Sequence, residues 1–136
     1  MGTGAGKGLN FGNTNGAQKE NTYMSHYQNA VTPREKFVNY SLNYSNPNAK
    51  GKAEAYEKGL GYTAQNADSL IFQIHSAVTE GKSRPYEVSK SEYGTKYKYR
   101  IGVKGPNGKT KNVIAVYQID NGSTTPRLIT NYLEGK

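Results

Sequence analysis

The sequence predicts an α+β domain in which N-terminal helices pack on a four-stranded, or slightly larger, antiparallel sheet. Three observations carry this expectation. Leu70, Ile71, Ile74, Ala77 and Val78 recur at helical spacing in the first half of the chain. From Arg84 onward apolar and polar residues alternate, the period of a strand with one buried face. Short Gly- and Asn-rich connections separate the alternating runs, and connections that short join antiparallel neighbours. Helices first and a meander afterwards place the helices on one sheet face and leave the other free for a ligand.

Residues 1–22 read as a flexible linker. Residues 1–16 hold six glycines and three asparagines and almost nothing apolar, so burial would not repay the entropy of ordering them. Gly4-Ala5-Gly6-Lys7-Gly8 is only superficially a phosphate loop, because no strand precedes it and no Gly-Lys-Ser/Thr ending opens a helix. The segment has no apolar signal core either, so no secretion address is expected in it. The domain is expected over residues 23–136.

Thr32-Pro33-Arg34-Glu35 predicts a helix start: a capping hydroxyl, proline in the first turn, and an acid three residues after the cap. That helix should run to about residue 42, and Asn46-Pro47-Asn48 then turns the chain. A short helix over about 50–58 follows, stopped by Gly59 and Gly61. Asn66 caps a third helix that ends near residue 80, with Gly81 as its terminal signal. Strands are expected at about 85–90, 95–104, 110–119 and 126–133. Tyr93-Gly94, Gly105-Pro106-Asn107-Gly108 and Asn121-Gly122 punctuate them. Tyrosine supplies twelve of the fifteen aromatics, so the core should be edged with hydrogen-bonded phenols.

Charge is concentrated in one part of the chain. Residues 81–111 hold nine of the eighteen basic side chains and two of the ten acids, which is +7 of the net +8. Charge gathered this way makes a local surface potential. Within it, Tyr97, Tyr99, Ile101 and Val103 should line one strand face, and Lys96, Lys98, Arg100 and Lys104 the other. A row of four cations suits a polyanion, and nucleic acid is the commonest one a basic domain meets.

The residues favour some chemistry over other chemistry. There is no cysteine, hence no disulfide or thiolate metal site. The two histidines, His26 and His75, lack ligand-spaced neighbours, and the only aspartates are Asp68 and Asp120. Metal-dependent DNA cleavage, which needs converging carboxylates, is therefore disfavoured, and no cofactor is expected. Cleavage of RNA through its own 2′-hydroxyl needs only proton transfer and charge stabilisation. His26, His75, Lys52, Arg127, Thr130 and Tyr132 can supply these. Each has a plainer reading. His75 lies one step off the apolar stripe of its helix, as a partly buried structural histidine would. Lys52 has the composition of a solvated helix residue, and Thr130 that of an ordinary strand residue. Arg127 and Thr130 face opposite sides of a regular strand, so a bulge would be needed to bring both to one cleft. The row of cations could serve only to keep a sheet edge from aggregating.

Three ordered segments resemble a known family. They are Lys52-Ala53-x-x-Tyr56-x-x-x-Leu60-Gly61-Tyr62, then Tyr93-Gly94 through Gly105-Pro106-Asn107-Gly108-Lys109, then Pro126-Arg127-Leu128-Ile129-Thr130-x-Tyr132. Together they are similar to the C-terminal nuclease tips of contact-dependent growth inhibition (CdiA-type) polymorphic toxins, a domain also found on some phage head proteins. The resemblance covers about residues 35–133. It implies a barnase/EndoU/colicin/RelE-like fold and metal-independent cleavage of tRNA. It also implies an acidic cognate immunity protein as partner, and in some members a host translation factor. Such tips are delivered from a bacterial surface within a larger secreted protein and act in the target-cell cytoplasm. Lys52, Arg127 and Thr130 occupy positions that recur in the family pattern. Tyr117 stands where that pattern has tryptophan, and histidine is not a fixture of it.

The function expected is thus a toxin ribonuclease. Lys52, His75, Arg127 and Thr130 would form its catalytic set, with Lys96, Lys98, Arg100 and Lys104 on the nucleic acid. The rival readings are a non-catalytic nucleic-acid-binding module, with outward tyrosines stacking bases, and a structural interaction domain.

Overall fold

The computed structural model describes residues 23–135. The linker expected over 1–22 lies outside the described residues. Two helices, α1 (Lys50–Leu60) and α2 (Ala67–Thr79), precede four strands. These are β1 (Glu87–Ser91), β2 (Gly94–Lys104), β3 (Thr110–Asp120) and β4 (Arg127–Leu133), paired antiparallel in the order β1-β2-β3-β4. The helices, with a π-wound segment at Phe37–Ser41, pack with this sheet in the expected α+β arrangement. Val31 adds a parallel bridge to Arg127 on the open edge of β4. Among the described residues no helix is long and apolar enough to cross a membrane.

The first expected helix is altered. The Thr32 hydroxyl does not cap it; it bonds His75 and Tyr117 instead. The chain winds as a π-helix over Phe37–Ser41, and the Leu42 N–H donates to the Phe37 carbonyl at 2.8 Å. Phe37 and Leu42 are both buried, and winding to i+5 brings residues of that spacing onto one side. Burial therefore overrides the local start signal.

Helix α1 runs two residues beyond the expected stop at 58. Gly59, expected as a stop, lies inside it at a close approach to β4, where a side chain would meet Leu133. Gly61 ends it with φ 86°, its N–H donating to the Tyr56 and Glu57 carbonyls. Asn66 precedes α2 as expected, but its side chain accepts the Thr63 N–H and so closes a capping box one turn earlier.

The alternation in β2 resolves as predicted. Tyr99, Ile101 and Val103 are buried on the helix side, with Tyr97 packed against the same core. Four tyrosines are fully buried. Tyr56 donates to Asn131 Oδ1, Tyr62 to the Lys104 carbonyl, and Tyr117 pairs with Thr32. The Tyr99 hydroxyl has no partner among the described residues. Its ring meets Tyr117 edge-on at 5.9 Å.

Candidate active site

Lys52 sits in the first turn of α1, between Ala49 and Ala53, which are buried against the fold. Tyr56, one turn on, is anchored to Asn131 of β4. That anchorage lays the start of α1 along the β4 edge. Lys52 Nζ then donates to Thr130 Oγ1 at 2.8 Å. The ammonium also lies 5.1 Å from the Tyr40 ring centre and 5.8 Å from that of Tyr132, within cation–π range. Partial burial pulls its pKa below lysine's ordinary value, since losing water penalises the charged form.

The bulge that would bring Arg127 and Thr130 together is present. Across it, Tyr117 pairs with Leu128 and Val116 with Thr130, leaving Ile129 as the extra residue. Arg127, Thr130 and Tyr132 thereby share the register face of Gln118, Val116 and Ile114. Arg127 is not free, however. It grips Asp120 through Nε at 2.7 Å and Nη2 at 3.1 Å. Arg127 and then Gln118 hold the Asp120 carboxyl below the usual carboxylate range.

His75 belongs to a different place. Its Nδ1 lies 2.9 Å from Thr32 Oγ1, which is 2.6 Å from the Tyr117 hydroxyl. It lines an open depression on the helix side with Arg34, Asp68 and Phe72. Among the described residues no hydrogen bond joins it to Lys52, Arg127 or Thr130, so the expected catalytic set divides. Lys52 and Thr130 meet, Arg127 shares the face of Thr130, and His75 stands apart. His26 is exposed, in a left-handed conformation ahead of the Tyr27–Asn29 turn.

Lys96, Lys98, Arg100 and Lys104 occupy the register face of Arg127 and Thr130, opposite the β2 core residues. Two of them are partly neutralised. Arg100 holds Glu134 bidentately and covers the Tyr86 ring at 4.3 Å, and Lys98 lies 3.8 Å from Glu87. Lys96 and Lys104 have no acidic partner among the described residues. The tyrosines of β2 face inward, Tyr99 buried and Tyr97 packed against the core, whereas Tyr86 and Tyr93 are exposed.

Tyr40, Asp120 and Glu134 were missed from the sequence. No local pattern links them to their partners: the π-wound segment brings Tyr40 to Lys52 on α1, and the pairing of β4 with β3 brings Asp120 to Arg127 and Glu134 to Arg100.

The family model described as a domain of unknown function, DUF6883, matches residues 23–135. The chain belongs to that family. Neither a curated protein nor a solved structure matches it.

Proposed function

We propose that this member of the DUF6883 family is a toxin ribonuclease that cuts tRNA by attack of the RNA's own 2′-hydroxyl, without a metal. The observation that carries the reading is the Lys52–Thr130 pair, in which a half-buried lysine meets a strand hydroxyl beside a basic sheet face. Thr130 accepts from the ammonium, so its own O–H is left to donate to a non-bridging phosphate oxygen. The 2′-oxygen forms a bond to phosphorus as its proton leaves to water, and the bond to the 5′-oxygen breaks. Lys52 gives the leaving oxygen a proton; its lowered pKa brings it closer to that task than an ordinary lysine.

Arg127 stabilises the phosphorane from the same strand face, tempered by Asp120. Lys96 and Lys104 take the phosphates flanking the cut, with Lys98 and Arg100 joining once their acids are displaced. His75 has no role in this step. Under the same reading an acidic immunity protein neutralises the toxin, which enters a target cell as part of a larger secreted protein.

The test is incubation of the purified chain with total tRNA in EDTA, with and without cell extract, read on a denaturing gel. Discrete fragments that disappear with Lys52→Ala support the reading. Intact tRNA in every lane, with the chain still retarding tRNA in a native gel, would replace it with the non-catalytic binding module.

A further inference from the structure

Strand β1 is shorter than the strand it pairs with, and its ladder ends at Glu87 opposite Lys98. Beyond that point β2 has no neighbouring strand on this side among the described residues. Backbone groups of an antiparallel strand alternate between its two neighbours. The Lys98 carbonyl accepts the Tyr86 N–H at 2.8 Å, so the even-numbered residues of β2 point away from β3. At the far end, Lys104 has the same orientation and is satisfied by a side chain. Gln73 accepts its N–H through Oε1 at 2.9 Å and donates to its carbonyl at 3.0 Å. Gln73 thus takes the place of a neighbouring strand for one residue.

Between these two ends lie Arg100 and Gly102, which have the same orientation and no backbone partner on that side among the described residues. They border an open depression of about 430 Å³, lined also by Phe72, Ser76, Lys82 and Ser83. Phe72 is 68% exposed, the most exposed of the large apolar residues among those described. A stretch of sheet edge with alternate open donors and acceptors, an aromatic knob beside it and closed ends is matched in length to a short extended peptide.

We infer that this notch receives an extended segment of an acidic partner protein, which adds as a short strand to Arg100 and Gly102 and packs a side chain on Phe72. Charge selects the partner: the notch lies in the stretch that carries +7 of the chain's +8, and its two lining cations, Lys82 and Arg100, hold only the solvent-accessible carboxylates of Glu80 and Glu134, which an acidic segment can replace. Main-chain pairing selects a polypeptide over a nucleic acid, whose backbone offers no N–H to the open carbonyls. The inference does not depend on the ribonuclease reading.

Amide hydrogen exchange on the full chain gives the first test. The Arg100 and Gly102 amides should exchange much faster than that of Ile101, which faces β3. Protection of both in the isolated chain would mean that the notch is already filled and would overturn the inference. The second test uses a fluorescent eight-residue peptide of alternating glutamate and valine, and the same peptide N-methylated at alternate amides in either phase. The unmethylated peptide should bind and slow exchange at Arg100 and Gly102. One methylated phase should bind at least tenfold more weakly, and Phe72→Ala should weaken the parent peptide about tenfold. Equal binding of all three peptides would reduce the contact to charge alone, and no binding by the parent peptide would equally overturn the inference. Displacement of the parent peptide by a uridine oligonucleotide, without change in exchange at Arg100 and Gly102, would assign the surface to nucleic acid.

Discussion

Lys52 and Thr130 are 78 positions apart in the chain, yet nitrogen and oxygen meet at 2.8 Å. Helix α1 brings the cation and the bulged strand β4 brings the hydroxyl. If this pair performs the cleavage, Lys52→Ala should lower the tRNA cleavage rate by about a hundred- to ten-thousand-fold, the usual worth of a positioned proton donor. Thr130→Val, which keeps the shape and removes the hydroxyl, should also lose most activity. Initial rates and thermal melts of both variants check this. Wild-type rates in correctly folded variants would dismiss the assignment.

The pH profile gives a second check. Burial favours neutral Lys52, so its folded pKa lies below its unfolded one. Between those two values the unfolded chain binds more protons, and the contribution of Lys52 to stability rises with pH. Activity that needs the ammonium should instead fall as pH rises through the lowered pKa. Lys52→Arg keeps the charge but holds its proton too tightly to give it to the leaving oxygen, so it should lose most activity across the pH–rate profile while the fold melts normally.

Asp120 and Arg127 make the opposite prediction. The folded carboxyl titrates below its ordinary value because of Arg127 and then Gln118. Its contribution is therefore complete above the ordinary aspartate pKa of about 4 and is lost as pH falls through the folded pKa. Asp120→Asn should flatten that part of the acid limb in a plot of Tm against pH. The pair is exposed, so the difference should be small and should shrink in salt.

Two buried tyrosines should respond differently to loss of the hydroxyl. Tyr56→Phe leaves Asn131 Oδ1 without its donor and should cost about 1–3 kcal/mol in urea denaturation. Tyr99→Phe removes a buried hydroxyl with no partner among the described residues and should be neutral or stabilising.

Two glycines separate close approach from mere flexibility. A methyl at Gly105 would run into the carbonyl and Cβ of Leu60, so Gly105→Ala should cost about 1–3 kcal/mol or more. Gly51 lies in α1 with open space around its Cβ position, so Gly51→Ala should stabilise by about 0.5–1 kcal/mol. Urea denaturation of the two variants decides both.

The strands were the most legible part of the sequence. Tyr97, Tyr99, Ile101 and Val103 alternate with cations, and a sheet with one buried face imposes that period directly. The second and third helices were legible too, because apolar spacing and the flanking Asn66, Gly61 and Gly81 agree. The first was not. Thr32 reads as a cap, but its hydroxyl is drawn to His75 and Tyr117, groups 43 and 85 residues away. Competition of that kind cannot be seen in a window of local sequence.

The candidate site divides along the same line. The α+β order of elements, the inward tyrosines and the basic row were written in the chain, because each follows from periodicity or charge within a short stretch. Long-range packing set the rest: Ile129 is bulged, Thr130 meets Lys52, Asp120 and Glu134 restrain Arg127 and Arg100, and His75 bonds Thr32 instead of joining them. The physical reason is that a bulge reverses every later side chain on its strand, and an ion pair depends on which strands become neighbours. Both are settled by packing between distant segments, after the local preferences have been satisfied.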